Sequence, residues 1–171
     1  DGGWRRGKVV PLKDTVDEAM GMTQLVKTVV MLRRANNDVK MTAGRDHDWT
    51  SLLIEAKAGK KAADCVPLLA TDPLYILYTS GTTGIPKGVV RDNGGHMVAL
   101  KWSMKNLYGV DPGEVYWCAS DVGWVVGHSY IVYGPLIHGC TTILYEGKPV
   151  GTPDAGAFWH VISEHGAVAL F

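Results

Sequence analysis

From Tyr75 to Arg91 the chain reads Tyr-Ile-Leu-Tyr-Thr-Ser-Gly-Thr-Thr-Gly-Ile-Pro-Lys-Gly-Val-Val-Arg, a run of serine and threonine hydroxyls, glycines and one lysine between two apolar segments. This is the chemistry of a phosphate-holding loop. Gly81, Gly84 and Gly88 permit backbone angles closed to other residues, so successive N–H groups can converge on one anion. Thr79, Ser80, Thr82 and Thr83 add hydroxyl donors, and Lys87 adds a mobile positive charge. The plainer reading is a ligand-free hairpin turn, which needs only two to five residues and no lysine. A Walker A loop fits poorly. Pro86 precedes the lysine, Gly88 follows it, and Val89-Val90 reads as a strand, leaving no helix N-terminus for the phosphate.

A second block, Ala119-Ser-Asp-Val-Gly-Trp-Val-Val-Gly-His-Ser-Tyr130, also joins glycines to apolar and polar side chains. Taken alone, Trp124, Val125 and Val126 read as core. His128 is placed at a strand-to-helix junction, as a hydrogen-bonded structural residue or a catalytic one. His47 lies among Arg45, Asp46 and Asp48, which suggests either a metal or acid–base cluster or, more simply, a charged surface loop ahead of a helix. His160 and His165 do not share a helix face, so they make no metal pair. Arg91 could meet a phosphate or an acidic residue.

Elements must carry these residues. Strands are predicted at 28–32, 74–78, 89–90, 115–119, 141–145 and 167–171. Helices are predicted at 49–58 with Asp48 or Thr50 as cap, at 95–107, at 130–138 ended by Gly139, and at 155–165 ended by Gly166. Residues 35–45 read as the most mobile connection. This alternation predicts an α/β fold with a mainly parallel sheet and helices on both faces. Ligands in such sheets sit beyond the carboxyl ends of strands, so the loop at Thr79 and the block at Ser120 should reach one rim.

At 171 residues and 46% hydrophobic content the chain can bury a proper core. Lys and Arg balance Asp and Glu at zero net charge, which favours neither nucleic acid nor an anionic membrane surface as a partner. Cys65, Cys118 and Cys140 lack paired spacing and read as reduced thiols. No stretch reaches the ~20 apolar residues of a membrane helix. The start at Asp1 without Met and the end on an apolar run read as a fragment of a longer protein.

Tyr78 to Gly88 resembles the nucleotide signature of the AMP-forming acyl-CoA synthetases and their adenylating relatives. The Ala119–Tyr130 block, Tyr133-Gly-Pro-Leu136, Leu144-Tyr-Glu-Gly147 and Gly7-Lys-Val-Val-Pro-Leu12 resemble the short-chain acetyl- and propionyl-CoA synthetases. Val90-Arg91-Asp92, Val125-Val126 and Gly147–Gly156 point to the propionyl branch. The resemblance implies ATP-dependent joining of a small carboxylate to coenzyme A through an acyl-adenylate, with propionate ahead of acetate. It implies nucleotide contacts from Thr79, Ser80, Gly81, Thr82, Thr83, Gly84, Lys87 and Gly88, with Lys87 catalytic. Trp124, Val125, Val126 and Gly127 would line the acyl pocket, and Mg²⁺ would find its ligands beyond Phe171.

The resemblance further implies a partial adenylation domain, with a lead-in segment 1–70 and a loop-and-pocket segment 71–171. The isolated chain should be inactive and depend on the remainder of its parent. Its setting would be the cytoplasm, or the mitochondrial matrix in a eukaryote. The alternatives are an adenylating enzyme that loads a carrier protein or oxidises its adenylate, and a catalytically incomplete phosphate-binding or interaction module.

Overall fold

The computed structural model describes residues 1–5, 7–59, 62–81, 84–147 and 153–171. Its contacts divide the chain into two units, Asp1–Cys65 and Val66–Phe171.

The first unit opens with an antiparallel hairpin of β1 (Gly2–Arg5) and β2 (Lys8–Pro11), followed by α1 (Lys13–Gly21). A short parallel pair, β3 (Val29–Met31) and β4 (Asp46–Asp48), then leads into α2 (Trp49–Ala58). Asp48 is the cap of α2, accepting from the Ser51 N–H at 3.0 Å, which satisfies one of the orphan donors of the first turn. The expected charged loop at Arg45–Asp48 is therefore a strand and a cap.

Charge holds this unit together. Lys13 is buried and reaches Asp17 at 2.8 Å, Asp46 at 2.8 Å and the Lys40 carbonyl at 3.1 Å. Arg45 pairs with both Asp17 and Asp46. The hydrogen bond from Arg45 holds the Asp46 carboxyl well below the usual carboxylate range, against the opposing effect of burial and with help from Lys13 and the Thr42 N–H. The region 35–45, expected to be mobile, is thus tied at several points. The Asp1 carboxylate accepts from the N–H groups of Arg34, Ala35 and Asn36, and Asp46 accepts from that of Thr42 at 2.8 Å.

The second unit begins with β5 (Pro73–Thr79) and β6 (Lys87–Asp92), paired antiparallel. Their connection is too short for the crossover that a parallel pair requires. Asp92 ends β6 and caps α3 (Asn93–Asn106), accepting from Gly95 and His96 N–H groups. The buried residues of α3 are His96, Leu100, Ser103 and Met104, spaced i, i+4, i+7, i+8 on one helical face.

Next come β7 (Val115–Trp117), α4 (Val125–Gly127), a π-helical turn (His128–Tyr133), α5 (Gly134–His138), β8 (Thr141–Thr142), α6 (Ala157–His165) and β9 (Ala167–Leu170). The parallel sheet runs β8-β7-β9. Successive side chains of β7 point to opposite faces, and both are covered. Tyr116 joins Met104, Val110, Cys118, Ile131 and Cys140 in the core, while the Trp117 ring lies 5.3 Å from Phe158 of α6. The α/β expectation holds, with parallel pairing in both units and helices against both faces of β7.

Gly139 (φ 90°) and Gly166 (φ 63°) end α5 and α6 in the left-handed conformation, as expected. The helix placed at 130–138 instead starts at Val125, so His128 stands inside it and not at a junction. Its first turn is anchored by the Trp124 and Asp121 backbone, and no capping side chain marks it. All three cysteines are free thiols, with Cys65 exposed and Cys118 and Cys140 buried. No helix among the described residues is long and apolar enough to cross a membrane.

Candidate functional site

The ladder of β5 and β6 sets the site's first half. Tyr75, Leu77 and Thr79 stand opposite Arg91, Val89 and Lys87, and residues directly opposite in an antiparallel pair share a face. The other face carries the exposed Ile76 and Tyr78. A Cβ at Gly88 would stand 3.0 Å from Ile76 Cγ2 and 3.5 Å from the Tyr78 ring, so this glycine makes room for the tyrosine across the ladder.

The connection from Ser80 to Pro86 is longer than hairpin closure needs. Gly81 has φ 58°, and a Cβ there would run into the Ile85 carbonyl; Gly84 has φ 78° and donates its N–H to the Gly81 carbonyl at 3.3 Å. Both backbone positions demand glycine. Ser80 and Lys87 are exposed, and Thr79 Oγ1 donates to the Lys87 carbonyl at 3.5 Å, closing the loop's base. Thr82 and Thr83 lie outside the described residues, as do Lys148–Thr152 of the block Gly147–Gly156. Glycines in left-handed geometry, a free hydroxyl and an exposed ammonium group form a donor set suited to phosphate oxygens.

The second half follows β7. Asp121 Oδ1 accepts from Gly123 N–H at 2.7 Å, and its carbonyl accepts from Trp124 N–H at 3.1 Å, a compact turn into α4. Trp124 is 64% exposed and Val126 38% exposed, with Val125 half-buried and Gly127 buried. Gly127 permits the closest approach among the described glycines of this unit: a Cβ there would overlap the Asp121 carbonyl and lie 2.6 Å from Val122 Cα.

One aromatic cluster links the two halves. The Tyr75 ring lies 5.2 Å from His128, 5.7 Å from Tyr133 in a stacked arrangement, and 5.8 Å edge-on from His96. The hairpin face that bears Thr79 and Lys87 is thus the face packed on the helix that begins at Val125. His128 serves as a packing residue here, with its ring against Tyr75. Burial first, and then the charge of Arg91, pull the His96 imidazole below its ordinary value and favour its neutral form. The sequence reading holds Tyr75, Asp121 and Tyr133 only inside longer motifs, with no role of their own, and passes over His96. The three rings sit on a strand and two helices with no common period. Only Asp121, followed at two residues by glycine, carried a local turn signal.

The AMP-binding enzyme family matches this chain over residues 8–171. The chain is 57% identical over 169 residues to "Acyl-CoA synthetase short-chain family member 3, mitochondrial" of both Pongo abelii and Homo sapiens, covering 98% of this chain and 24% of each relative. It is 44% identical over 173 residues to "Acetyl-coenzyme A synthetase" of Syntrophus aciditrophicus, covering 100% of this chain and 26% of that relative. The chain therefore spans about a quarter of the length of these relatives. Matched across nearly its whole length, with its glycine- and hydroxyl-rich loop inside the matched region, the chain belongs to the AMP-binding enzyme family.

Proposed function

We propose that this chain is the phosphate-side portion of an ATP-dependent short-chain acyl-CoA synthetase, acting on propionate ahead of acetate. The observation that carries the reading is the hairpin connection. It sets left-handed Gly81 and Gly84, exposed Ser80 and exposed Lys87 on a strand pair whose inner face packs against the helix starting at Val125. The names of the relatives support the same chemistry. A carboxylate oxygen attacks the ATP α-phosphorus, the bond to the bridging oxygen breaks, and pyrophosphate leaves with the electron pair. The CoA thiolate then attacks the acyl carbon and expels AMP.

Thr79, Ser80, Thr82, Thr83 and the backbone of Gly81, Gly84 and Gly88 hold the β- and γ-phosphates, while Lys87 neutralises charge as pyrophosphate departs. Mg²⁺ supplies further charge neutralisation when bound. The loop offers hydroxyl oxygens and no carboxylate, and no cluster of three or more His, Cys, Asp or Glu among the described residues could hold a metal ion, so its acidic ligand would come from the remainder of the parent chain. Trp124, Val125, Val126 and Gly127 form one wall against the alkyl tail. Coenzyme A enters as co-substrate, and the setting is the cytoplasm or mitochondrial matrix. The isolated chain makes no acyl-CoA.

Lys87→Ala in the full-length enzyme tests the reading. Acyl-adenylate formation, followed by pyrophosphate release, should slow ~10²-fold, the effect of losing one donor aimed at developing charge. Thioester formation from supplied acyl-adenylate should be largely retained. Equal loss in both half-reactions would make Lys87 structural and overturn its assigned role.

A further inference from the structure

The helix that carries Val125 and Val126 is irregular at one place. The Gly134 N–H bonds to the Ser129 carbonyl, five residues back, so the segment His128–Tyr133 is a π turn, which holds one residue more than an α-helical turn would. The cause is local. Pro135 has no N–H to donate, and in a straight helix its ring collides with the carbonyl four residues earlier, that of Ile131. Thr142 satisfies that carbonyl from outside the helix, donating from Oγ1 at 2.8 Å. Glycine is required at 134, where a Cβ would stand 2.8 Å from the Ser129 carbonyl.

Both ends of this helical stretch are pinned. At the front, Gly127 lies against the Asp121–Val122 backbone and only glycine fits. At the back, Pro135 is fully buried and His138 Nε2 donates to the Val110 carbonyl at 2.8 Å. Between them, the Tyr130 hydroxyl meets that of Ser103 at 3.0 Å. The extra residue is taken up in the π turn because neither anchor can move by one position. An α-helix advances about 100° per residue, so closing the turn would rotate Val125–Gly127 by roughly that angle relative to α5.

We propose that Gly134, Pro135 and Thr142 are positioning residues for carboxylate selection: by maintaining the π turn they set which of the Val125 and Val126 side chains faces the alkyl tail. This rests on the acyl-wall reading of those valines. The test is the ratio of kcat/KM for propionate to that for acetate in the full-length enzyme, with Gly134→Ala, Thr142→Val, Thr142→Ser and, as a probe of the wall itself, Val126→Thr. Gly134→Ala and Thr142→Val should shift the ratio by about 5-fold or more, since one methylene in an apolar pocket discriminates by ~10-fold or more. Thr142→Ser keeps the hydroxyl and should retain the parent ratio. Where Gly134→Ala does not fold, the two Thr142 variants decide. An unchanged ratio in the folded variants, or an equal fall for both acids, beside a shift in Val126→Thr would overturn the role of the π turn and leave the acyl wall standing. An unchanged ratio in all four would overturn both.

Discussion

Met31 is the one buried apolar side chain among the described residues of Asp1–Cys65, whereas Val66–Phe171 buries Leu100, Met104, Val110, Tyr116, Trp117, Ile131 and more. The first unit also buries Lys13, paired with Asp17 and Asp46, both of which Arg45 pairs with in turn. The two units therefore differ in what a single lost side chain does. An apolar core loses contact area in proportion to the atoms removed. A buried ion network loses compensation, and the charge left behind is the larger penalty. The difference also sorts the work. Every residue assigned to phosphate or acyl contact lies in the unit with the apolar core, where close packing fixes side-chain positions.

The sharpest way to break this comparison is a pair of variants of this protein followed by hydrogen exchange. Asp46→Ala takes one of two carboxylates from buried Lys13, leaving Asp17 in place, and should cost about 3 kcal/mol, the low end for breaking a buried pair, appearing as lost protection in residues 1–65. Met104→Ala should cost about 3 kcal/mol and appear in residues 66–171. Loss spread evenly over both units by either variant would mean that the division is not energetic.

Acidification should separate the units without mutation. His96 has its pKa lowered in the fold, so its contribution is full above the unfolded value of about 6.5 and fades as pH falls below it. Exchange should therefore rise first around Tyr75, His96 and Tyr133. Asp46, also lowered, contributes fully above its unfolded value of about 3.9 and is lost only as pH falls well below that. Residues 13–17 and 40–48 should then open last. The reverse order, followed residue by residue, would contradict the assignment of charge to one unit and packing to the other.

The smallest effect compares like with like. Asp48 caps α2 in the first unit and Asp92 caps α3 in the second, each by accepting backbone N–H groups. Asp48→Ala and Asp92→Ala should each cost about 1 kcal/mol. Exchange should stay confined to the α2 terminus in the first case, and in the second should reach β6 as well, because Asp92 is also its last residue. Identical spread would mean that the cap does not couple strand to helix.

The parts of this fold legible in the sequence are those fixed by neighbours in the chain. Asp48, Gly139 and Gly166 announce helix ends because a side-chain acceptor or a left-handed angle acts within a few residues. The hairpin β1–β2 and helix α1 gave no comparable signal. Leu12 precedes α1 without a side-chain cap, and Lys13, the kind of residue expected on a surface, is buried by partners as distant as Asp46. The site divides in the same way. The loop showed itself because its hydroxyls, glycines and lysine are contiguous. The π turn did not, because the apolar run 130–138 reads as one regular helix straight through Gly134-Pro135, and Thr142, which completes the turn, arrives from another element. His128 was misplaced for the same reason, since the start of its helix is fixed by backbone contacts at Asp121 and Gly127.

The cysteines offer a use unrelated to their part in the core. A thiol reacts as its thiolate, and burial raises the pKa of both Cys118 and Cys140, while Cys140 also donates to the Asp111 carbonyl at 3.4 Å. Cys65 alone of the three is exposed, and it is the last residue of the first unit. Within this stretch a thiol-reactive fluorophore should attach at one address, the residue at which the chain passes from a segment held by charge to a segment held by packing. Its emission would report, in one cuvette, when the end of the charge-held segment loosens.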